Sequence, residues 1–290
     1  MAPLIDTHVH TNLSDGLESP ATVLELAAAG GIELLSITDH DCVRAYPDAI
    51  TAGDRLGIRV IPGVEITTRD EPGFCCVHVV GLGVRTGPGV SALLDRVVAA
   101  REEANIGFLE NMNAYMARKY PRWQPVESTK PSIFYNAMQS AAACGIRLSE
   151  KELMDVLLDQ ELWTPLAFEL TLEEAISYIK QWGGVPVLAH PFDFSNDAGL
   201  VLRRFVAAGG EAVELCKYRY KVRSSALHMI GPEELLSRER EMNLWTMAQA
   251  RKNRLRLTMA SDHHDARRPM GSDPAEYGID VAWLVDLSRD

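Results

Sequence analysis

The chain has 290 residues, 47% of them hydrophobic and 24% charged, as is usual for a globular protein with a sizeable core. Its formal net charge of −11 argues against broad contact with a nucleic-acid backbone, and it has no apolar run long enough to span a membrane. The first residues lack the pattern of a secretory signal, and the five cysteines form no C-x-x-C pair. We therefore expect a reduced, cytoplasmic protein.

Short apolar runs alternate with helical patterns along most of the chain. The predicted strands are Leu4–Val9, Leu34–Thr38, Arg59–Ile66, Cys75–Gly81, Val185–Ala189, Ala212–Cys216 and Leu255–Ala260. The predicted helices are Pro20–Ala29, Val43–Leu56, Val90–Met116, Leu172–Trp182, Leu200–Ala208 and Pro232–Asn253. Glycine pairs at 30–31, 183–184 and 209–210 are placed to end helices, and Thr171 with Glu174 forms a capping-box pattern. This alternation favours an α/β barrel or open sheet.

Two regions depart from the strand–helix rhythm. The third and fourth strands are separated by only about eight residues, too few for a crossover helix, so we expect this pair to be antiparallel. Residues from about 90 to 170 are mostly helical. We interpret residues 1–290 as a single barrel domain, interrupted at about 90–170 by a helical insertion that covers one end of the barrel.

Histidines and carboxylates gather at the predicted strand ends, on six widely spaced segments. In barrels of parallel strands the carboxyl ends converge on one face, where active sites are built. Neutral imidazole and carboxylate are ligands of Zn, Mn and Fe, and alternate strand residues such as His8 and His10 point to the same side. The pattern therefore predicts a metal centre. The residues that follow this pattern are His8, His10, His40, Glu65, His78, His190, Asp262, His263 and His264.

With these segments in view, the chain resembles the PHP (polymerase and histidinol phosphatase) family. The matching motifs, which run in family order, are DTHVH at 6–10, SDG at 14–16, TDHD at 38–41, GVE at 63–65, HVVGLG at 78–83, AHP at 189–191 and SDHH at 261–264. The resemblance implies a distorted (β/α)7 barrel with a mostly trinuclear site. It is greatest to the stand-alone members that act on nucleotides and cyclic phosphates.

The resemblance also implies how the ligands divide among two or three ions of Mn, Fe or Zn. The three sets are His8, His10, Glu65 and Asp262; Glu65, His78 and His190, with Glu65 bridging; and Asp15, His40 and His264. Asp39 would orient a ligand imidazole from behind. Three divalent ions carry about six positive charges against three carboxylates, which makes the pocket locally cationic and suited to phosphate.

We therefore expect hydrolysis of a phosphate ester by water that the metal ions activate to hydroxide for in-line attack on phosphorus. Candidates for the acid that protonates the leaving group are His263 and Asp41. Candidate phosphate contacts are Lys130, Lys217, Arg219 and Arg223. Related phosphatases usually carry Arg, then His two residues on, where this chain has Lys130 and Ser132, which puts the usual substrate preference in doubt.

The expected substrate is a small phosphorylated metabolite: a phosphomonoester, a nucleoside bisphosphate or a cyclic phosphodiester. A 3'-5' exonuclease-type activity is one alternative, although the acidic charge predicts no stable nucleic-acid partner. A metal-dependent C–N hydrolase of the amidohydrolase type is another, and a catalytically idle metal-binding module is a third. We expect no membrane association, and the sequence leaves the oligomeric state open.

Overall fold

The computed structural model describes residues 4–125, 133–193, 197–221 and 230–287. Its strands are β1 (Leu4–Val9), β2 (Ile32–Ile37), β3 (Arg59–Thr67), β4 (His78–Leu82), β5 (Val185–Leu188), β6 (Ala212–Cys216) and β7 (Arg256–Ala260). Its helices are α1 (Pro20–Ala29), α2 (Tyr46–Leu56), α3 (Pro88–Lys119), α4 (Ile133–Ala143), α5 (Glu150–Leu157), α6 (Leu172–Gln181), α7 (Ala198–Ala207), α8 (Pro232–Asn253) and α9 (Ala282–Leu287).

The seven strands form one sheet in sequence order. Its two edges meet because Val9, at the end of β1, bridges His263, just beyond β7, and the His10 N–H donates to the His263 carbonyl at 2.8 Å. Thr7 and Thr258 share a buried hydrogen bond of 2.6 Å across the same seam. The sheet is thus a nearly closed, distorted (β/α)7 barrel, as predicted.

β4 runs against the other six strands, pairing antiparallel with both β3 and β5. This confirms the expectation from the short connection after β3. Because β4 is reversed, Thr67, the last residue of β3, pairs with His78, the first residue of β4. His78 therefore lies on the face where the parallel strands end, although it begins its own strand.

Two apolar clusters hold the barrel together. One collects buried residues from all seven strands and from α9, including Ile5, Leu34, Leu82 and Met259. The other joins β1 and β2 to α1 and α2, and it includes Leu35. Leu34 and Leu35 belong to different clusters because neighbouring strand residues point to opposite sides of a sheet. The apolar runs seen in the sequence are thus buried on both sides, as parallel strands require.

Residues 95–169 form a second compact unit. It contains most of α3 together with α4 and α5, and it has its own apolar core. Phe108 and Trp163 pack with ring centroids 4.3 Å apart, and the Trp123 indole donates to Asn113 at 3.0 Å.

Local signals placed most element ends correctly. Gly31, Gly183 and Gly209 have positive φ after α1, α6 and α7, and Thr171 and Glu174 form a reciprocal capping box at the start of α6. β4 begins later than predicted because Cys76 has a φ of 49°, which interrupts the extended backbone before His78. Within the described part of the chain, no helix combines the length and apolar character needed to cross a membrane.

Candidate metal centre

Glu65 lies at the middle of the predicted ligand set, and it is fully buried. Five imidazole nitrogens surround its two oxygens. From Oε2 the distances are 3.2 Å to His8 Nε2, 3.1 Å to His10 Nε2 and 3.2 Å to His40 Nδ1; from Oε1 they are 3.0 Å to His78 Nδ1 and 3.1 Å to His190 Nε2. Each oxygen thus faces a different group of imidazoles, which is the arrangement a bridging carboxylate needs.

The H-x-H pair occupies one side of Glu65. His8 Nε2 and His10 Nε2 lie 3.0 Å apart, and both are within 3.6 Å of Asp262 Oδ1. Both imidazoles are fully buried. Two imidazole nitrogens converge with carboxylate oxygens on one small volume, as in a cation site.

A second side of the centre contains the turn residue Asp15. Asp15 Oδ2 lies 3.2 Å from His264 Nε2 and 3.9 Å from His40 Nε2, and Oδ1 lies 3.3 Å from His10 Nδ1. The sequence predicted Asp15, His40 and His264 as one set; the structure brings them together and adds the far nitrogen of His10. Ligand atoms of these four side chains lie within 4.8 Å of one another.

Strained backbone supports this cluster at three strand ends. Asp41, His190 and Asp262 have φ of 47°, 24° and 53°, in the left-handed region that residues with a Cβ rarely adopt. Such conformations persist when the surroundings fix them, and they are common at functional sites. The turns direct the side chains of His190 and Asp262 inward from the ends of β5 and β7.

The electrostatics follow from crowding of opposite charges in a buried space. Burial alone would lower the pKa of His10, but the neighbouring carboxylates of Asp262 and Glu65 raise it to about 10. Burial lowers the pKa of His40 to about 3, with Glu65 offsetting only part of the effect. Burial would raise the pKa of Glu65, but the neighbouring histidines, His8 first, lower it well below its usual value. The centre therefore combines ionised carboxylates with protonated and neutral imidazoles.

Glu214 is a supporting residue that the sequence analysis missed. It is 1% exposed in the middle of β6, and its Oε2 lies 3.0 Å from His8 Nδ1 while its Oε1 accepts from the His190 N–H at 2.7 Å. A carboxylate behind a ligand imidazole fixes the tautomer and orients the ring. The sequence did hold a signal, because a lone acid inside an otherwise apolar strand needs a buried partner.

Asp39 has a different partner from the one expected. Its oxygens accept from the Thr11 N–H and hydroxyl, each at 2.7 Å, and from the Ser14 hydroxyl at 2.6 Å. These bonds hold the turn that presents Asp15, and the expectation that Asp39 orients an imidazole stays a prediction. The carboxylate that lies behind the His8 imidazole is that of Glu214.

Asp262 is flanked by two cations that the sequence analysis did not single out. Its Oδ2 lies 2.8 Å from Lys221 Nζ and 2.6 Å from Arg268 Nη1, while Oδ1 faces the H-x-H pair. Lys221 Nζ also lies 2.6 Å from Asp193, whose carboxylate is 3.3 Å from His190 Nδ1. Burial would lower the pKa of Lys221, but the carboxylates, Asp262 first, raise it above its usual value.

Of the two proposed leaving-group acids, His263 is buried, with Nδ1 2.7 Å from the Arg268 carbonyl and Nε2 3.5 Å from Glu18. Both of its ring nitrogens face these groups, and the acid role of His263 stays a prediction. Asp41 is also buried and accepts from the Thr67 N–H at 3.4 Å, as a turn residue does.

Two of the predicted phosphate contacts have partners that are not among the proposed metal ligands. Lys217 donates to the Pro269 carbonyl at 2.9 Å, and Arg219 pairs with Glu239 on α8. Both lie on the predicted loop after β6, but Lys221 is the residue of this loop whose ammonium reaches the centre. The other two candidates, Lys130 and Arg223, lie outside the described residues.

The donor set fits divalent metal. Imidazole nitrogen and carboxylate oxygen supply every predicted ligand atom, and these atoms form overlapping groups within 4.8 Å. Within the described residues, His10 Nδ1 and Glu65 Oε2 are buried without a well-directed hydrogen bond. Buried polar atoms left in this state are expected where an ion completes the site.

Comparisons with known proteins agree with this geometry. The PHP domain model matches residues 6–142. A 3',5'-nucleoside bisphosphate phosphatase of Chromobacterium violaceum is 30% identical over 98% of this chain and 92% of its own length. The chain belongs to the PHP family. It is accordingly a metal-dependent phosphoric ester hydrolase.

Other PHP relatives differ in the reactions their names record. A phosphoribosyl 1,2-cyclic phosphate 1,2-diphosphodiesterase of Eggerthella lenta is 36% identical over 64% of this chain and 73% of its own. A 5'-3' exoribonuclease of Haemophilus influenzae is 27% identical over 74% of this chain and 80% of its own. The solved structure of an amidohydrolase from Chromobacterium violaceum, with bound sulfate and no metal, has a TM-score of 0.67 at 25% identity, covering 93% of this chain and 91% of its own.

Proposed function

We propose that this PHP protein hydrolyses a phosphate ester bond of a small nucleotide-like metabolite at a centre of three divalent ions. The observation that carries the proposal is the position of Glu65, whose two buried oxygens lie within 3.2 Å of five imidazole nitrogens. A carboxylate that bridges two metal ions offers one oxygen to each ion, so each oxygen is expected to lie among the other ligands of that ion. The imidazoles around the two oxygens of Glu65 match this expectation.

We propose the division of ligands that the family resemblance implies. The first ion takes His8, His10, Glu65 and Asp262; the second takes Glu65, His78 and His190; the third takes Asp15, His40 and His264. Nitrogen and oxygen donors without thiolate suit Mn, Fe and Zn. The support for a third ion is the separate grouping around Asp15, on the opposite side of His10 from Glu65.

Bound divalent ions would supply a nucleophile by lowering the pKa of water and would neutralise phosphate charge. The protein's own residues hold this arrangement in place. Glu214 orients His8 and fixes the backbone of His190, and Asp39 holds the turn that carries Asp15. Lys221 and Arg268 hold one oxygen of Asp262, so that the other faces His8 and His10.

The net charge of the chain bears on the substrate. At −11 the protein as a whole repels anions, so a phosphorylated substrate must bind where positive charge is concentrated. The centre, loaded with ions and flanked by Lys221 and Arg268, is such a place. We propose a nucleoside bisphosphate or a cyclic phosphodiester as the substrate class, because relatives with these substrates match this chain at 30% and 36% identity.

The test is a hydrolysis assay on purified protein with Mn²⁺, Fe²⁺ or Zn²⁺, which measures released phosphate for monoesters and bisphosphates and the ring-opened phosphomonoester for cyclic phosphodiesters. The panel contains nucleoside 3',5'-bisphosphates, cyclic phosphodiesters and simple phosphomonoesters. We expect metal-dependent turnover on the first two classes and its loss in the double variant His8→Ala/His10→Ala. Full activity of a metal-free double variant would overturn the proposal, and hydrolysis of N-acyl substrates without phosphate release would favour a C–N hydrolase.

A second candidate function is exonucleolytic cleavage of RNA, which the exoribonuclease relatives favour. The same metal chemistry would cleave a phosphodiester at the end of a strand. The acidic surface argues against tight binding of a long strand, since backbone contacts depend on clustered Lys and Arg. Degradation of an end-labelled oligoribonucleotide faster than bisphosphate hydrolysis, at physiological salt, would establish this alternative.

A further inference from the structure

Lys221 is a buried lysine in a fixed position beside the metal centre. Its side chain is only 8% exposed. It ends a single helical turn, Tyr218–Tyr220, and its N–H donates to the Tyr218 carbonyl at 2.9 Å. The turn is anchored by the buried Tyr218 ring and by the Arg219 N–H, which donates to Glu239 at 3.0 Å.

The ammonium lies between two carboxylates that belong to different parts of the centre. Asp262, a proposed ligand of the first ion, lies 2.8 Å away, and Asp193 lies 2.6 Å away. Asp193 also contacts His190 Nδ1 at 3.3 Å, while Nε2 of the same ring faces Glu65. Lys221 thus contacts Asp262, a proposed ligand of the first ion, and also Asp193, which supports His190, a proposed ligand of the second ion.

The same three neighbours could hold a metal ion themselves. Ligand atoms of His190, Asp193 and Asp262 lie within 4.8 Å of one another, in a group that shares His190 and Asp262 with the proposed sets and adds Asp193. Imidazole nitrogen suits Fe and Zn, and carboxylate oxygen suits Mn. The Lys221 ammonium is seated between the two carboxylates of that group.

We propose that Lys221 is a tethered cation that fills this fourth position and keeps metal out of it. The proposal rests on the function proposed above, in which the neighbouring positions bind divalent ions. A lysine fixed in its own chain competes at high effective concentration with free metal. The Lys221 ammonium also adds one positive charge, whereas a divalent ion would add two. It contacts Asp262 Oδ2, which leaves Oδ1 to bind the first ion. Lys221 therefore sets how many ions the centre takes.

The test counts metal ions in matched variants. Wild-type protein, Lys221→Ala, Lys221→Arg and the control Lys180→Ala are loaded with excess Mn²⁺, desalted and measured by elemental analysis and native mass spectrometry. Lys180 also forms a carboxylate pair, 3.2 Å from Glu211, but on the outer surface at α6. If Lys221→Ala does not fold, Lys221→Gln removes the charge while keeping most of the side-chain length.

We expect one more Mn²⁺ per chain in Lys221→Ala than in the wild type, and the wild-type number in Lys221→Arg and Lys180→Ala. An anomalous-scattering peak between Asp193 and Asp262 in crystals of the variant would locate the added ion. An equal or smaller count in the variant, with no such peak, would overturn the inference. Failure of the wild type to bind any Mn²⁺ would instead contradict the proposed metal centre.

Discussion

Glu214 illustrates how one buried carboxylate serves two ligands of different proposed ions. Its oxygens contact His8 through the ring and His190 through the backbone. His190 has a φ of 24°, and the hydrogen bond that its backbone N–H donates to Glu214 helps to fix that conformation. A change at this residue should therefore affect metal binding before it affects the fold.

We expect Glu214→Gln to weaken Mn²⁺ binding by about 10- to 100-fold, the usual cost of losing a partner behind a ligand imidazole. The amide has one acceptor oxygen for two donors, so either His8 or the His190 N–H loses its bond. Titration calorimetry measures the affinity, with Glu211→Gln as the control because Glu211 is 41% exposed before the same strand. Unchanged affinity in Glu214→Gln would show that the carboxylate has no orienting role.

The raised pKa of His10 predicts that metal uptake releases protons. Its pKa of about 10 lies above the ordinary 6.5, so the bound proton stabilises the metal-free fold fully below pH 6.5 and is lost as the pH rises toward 10. Metal needs the unprotonated ring, so its affinity rises over the same window. Calorimetry at neutral pH in buffers of different ionisation enthalpy should show proton release, and the metal-induced increase in Tm should grow with pH.

Buffer-independent binding enthalpies at neutral pH would contradict this assignment. His10→Ala provides the internal control, because it removes the group held responsible while leaving His8 in place. Its proton release should be smaller than that of the wild type.

At the scale of elements, the turn between β1 and α1 depends on a close backbone approach. A Cβ at Gly16 would lie 2.7 Å from the His10 carbonyl carbon and oxygen, nearer than real Cβ atoms come. Gly16 follows Asp15, which faces His264 and His40. The Ser14-Asp15-Gly16 motif is thus explained physically: the glycine lets the turn press against the first strand so that the aspartate reaches the centre.

We expect Gly16→Ala to displace this turn, with a loss of one bound metal ion and about 1–3 kcal/mol of stability from overpacking. Gly89→Ala is the matched control, since nothing lies within 4 Å of a Cβ added there in the first turn of α3. Metal counting and chemical denaturation measure the two effects. Retention of the full metal complement by Gly16→Ala would refute the claim that the turn positions a ligand.

Periodic and local signals predicted the seven strands and six of the helices, and they placed the candidate ligands at strand ends. His8 and His10 share a side because strand residues alternate, and the antiparallel β4 followed from a connection too short for a helix. The roles of Asp193, Lys221 and Arg268 were not predictable in this way. Lys217 and Lys221 belong to one loop and have the same chemistry, yet one donates to Pro269 and the other reaches Asp262. Tertiary packing of the intervening Tyr218 decides which.

At the scale of the whole molecule, bound metal should act as a stabilising ligand. The centre draws side chains from β1, β3 and β4 and from the segments that follow β1, β2, β5 and β7, so we expect ions to bind the folded barrel and not the unfolded chain. Free metal at 100 times its Kd then adds about 2.7 kcal/mol. Chelation with EDTA should lower Tm and abolish phosphate release, and added Mn²⁺ should restore both. An unchanged Tm after verified metal removal would argue against such coupling.

The seam of the barrel, where Thr7 meets Thr258 and His10 meets His263, has a consequence for biosynthesis. The partners are separated by about 250 positions in the sequence, and long-range contacts of this kind form late in folding. Asp262 and His264 leave the ribosome after all seven of the other proposed ligands. A growing chain therefore carries seven of the nine proposed ligands before the sets for the first and third ions are complete. Ion loading is expected to follow release of the last strand, when the two ends of the sheet meet.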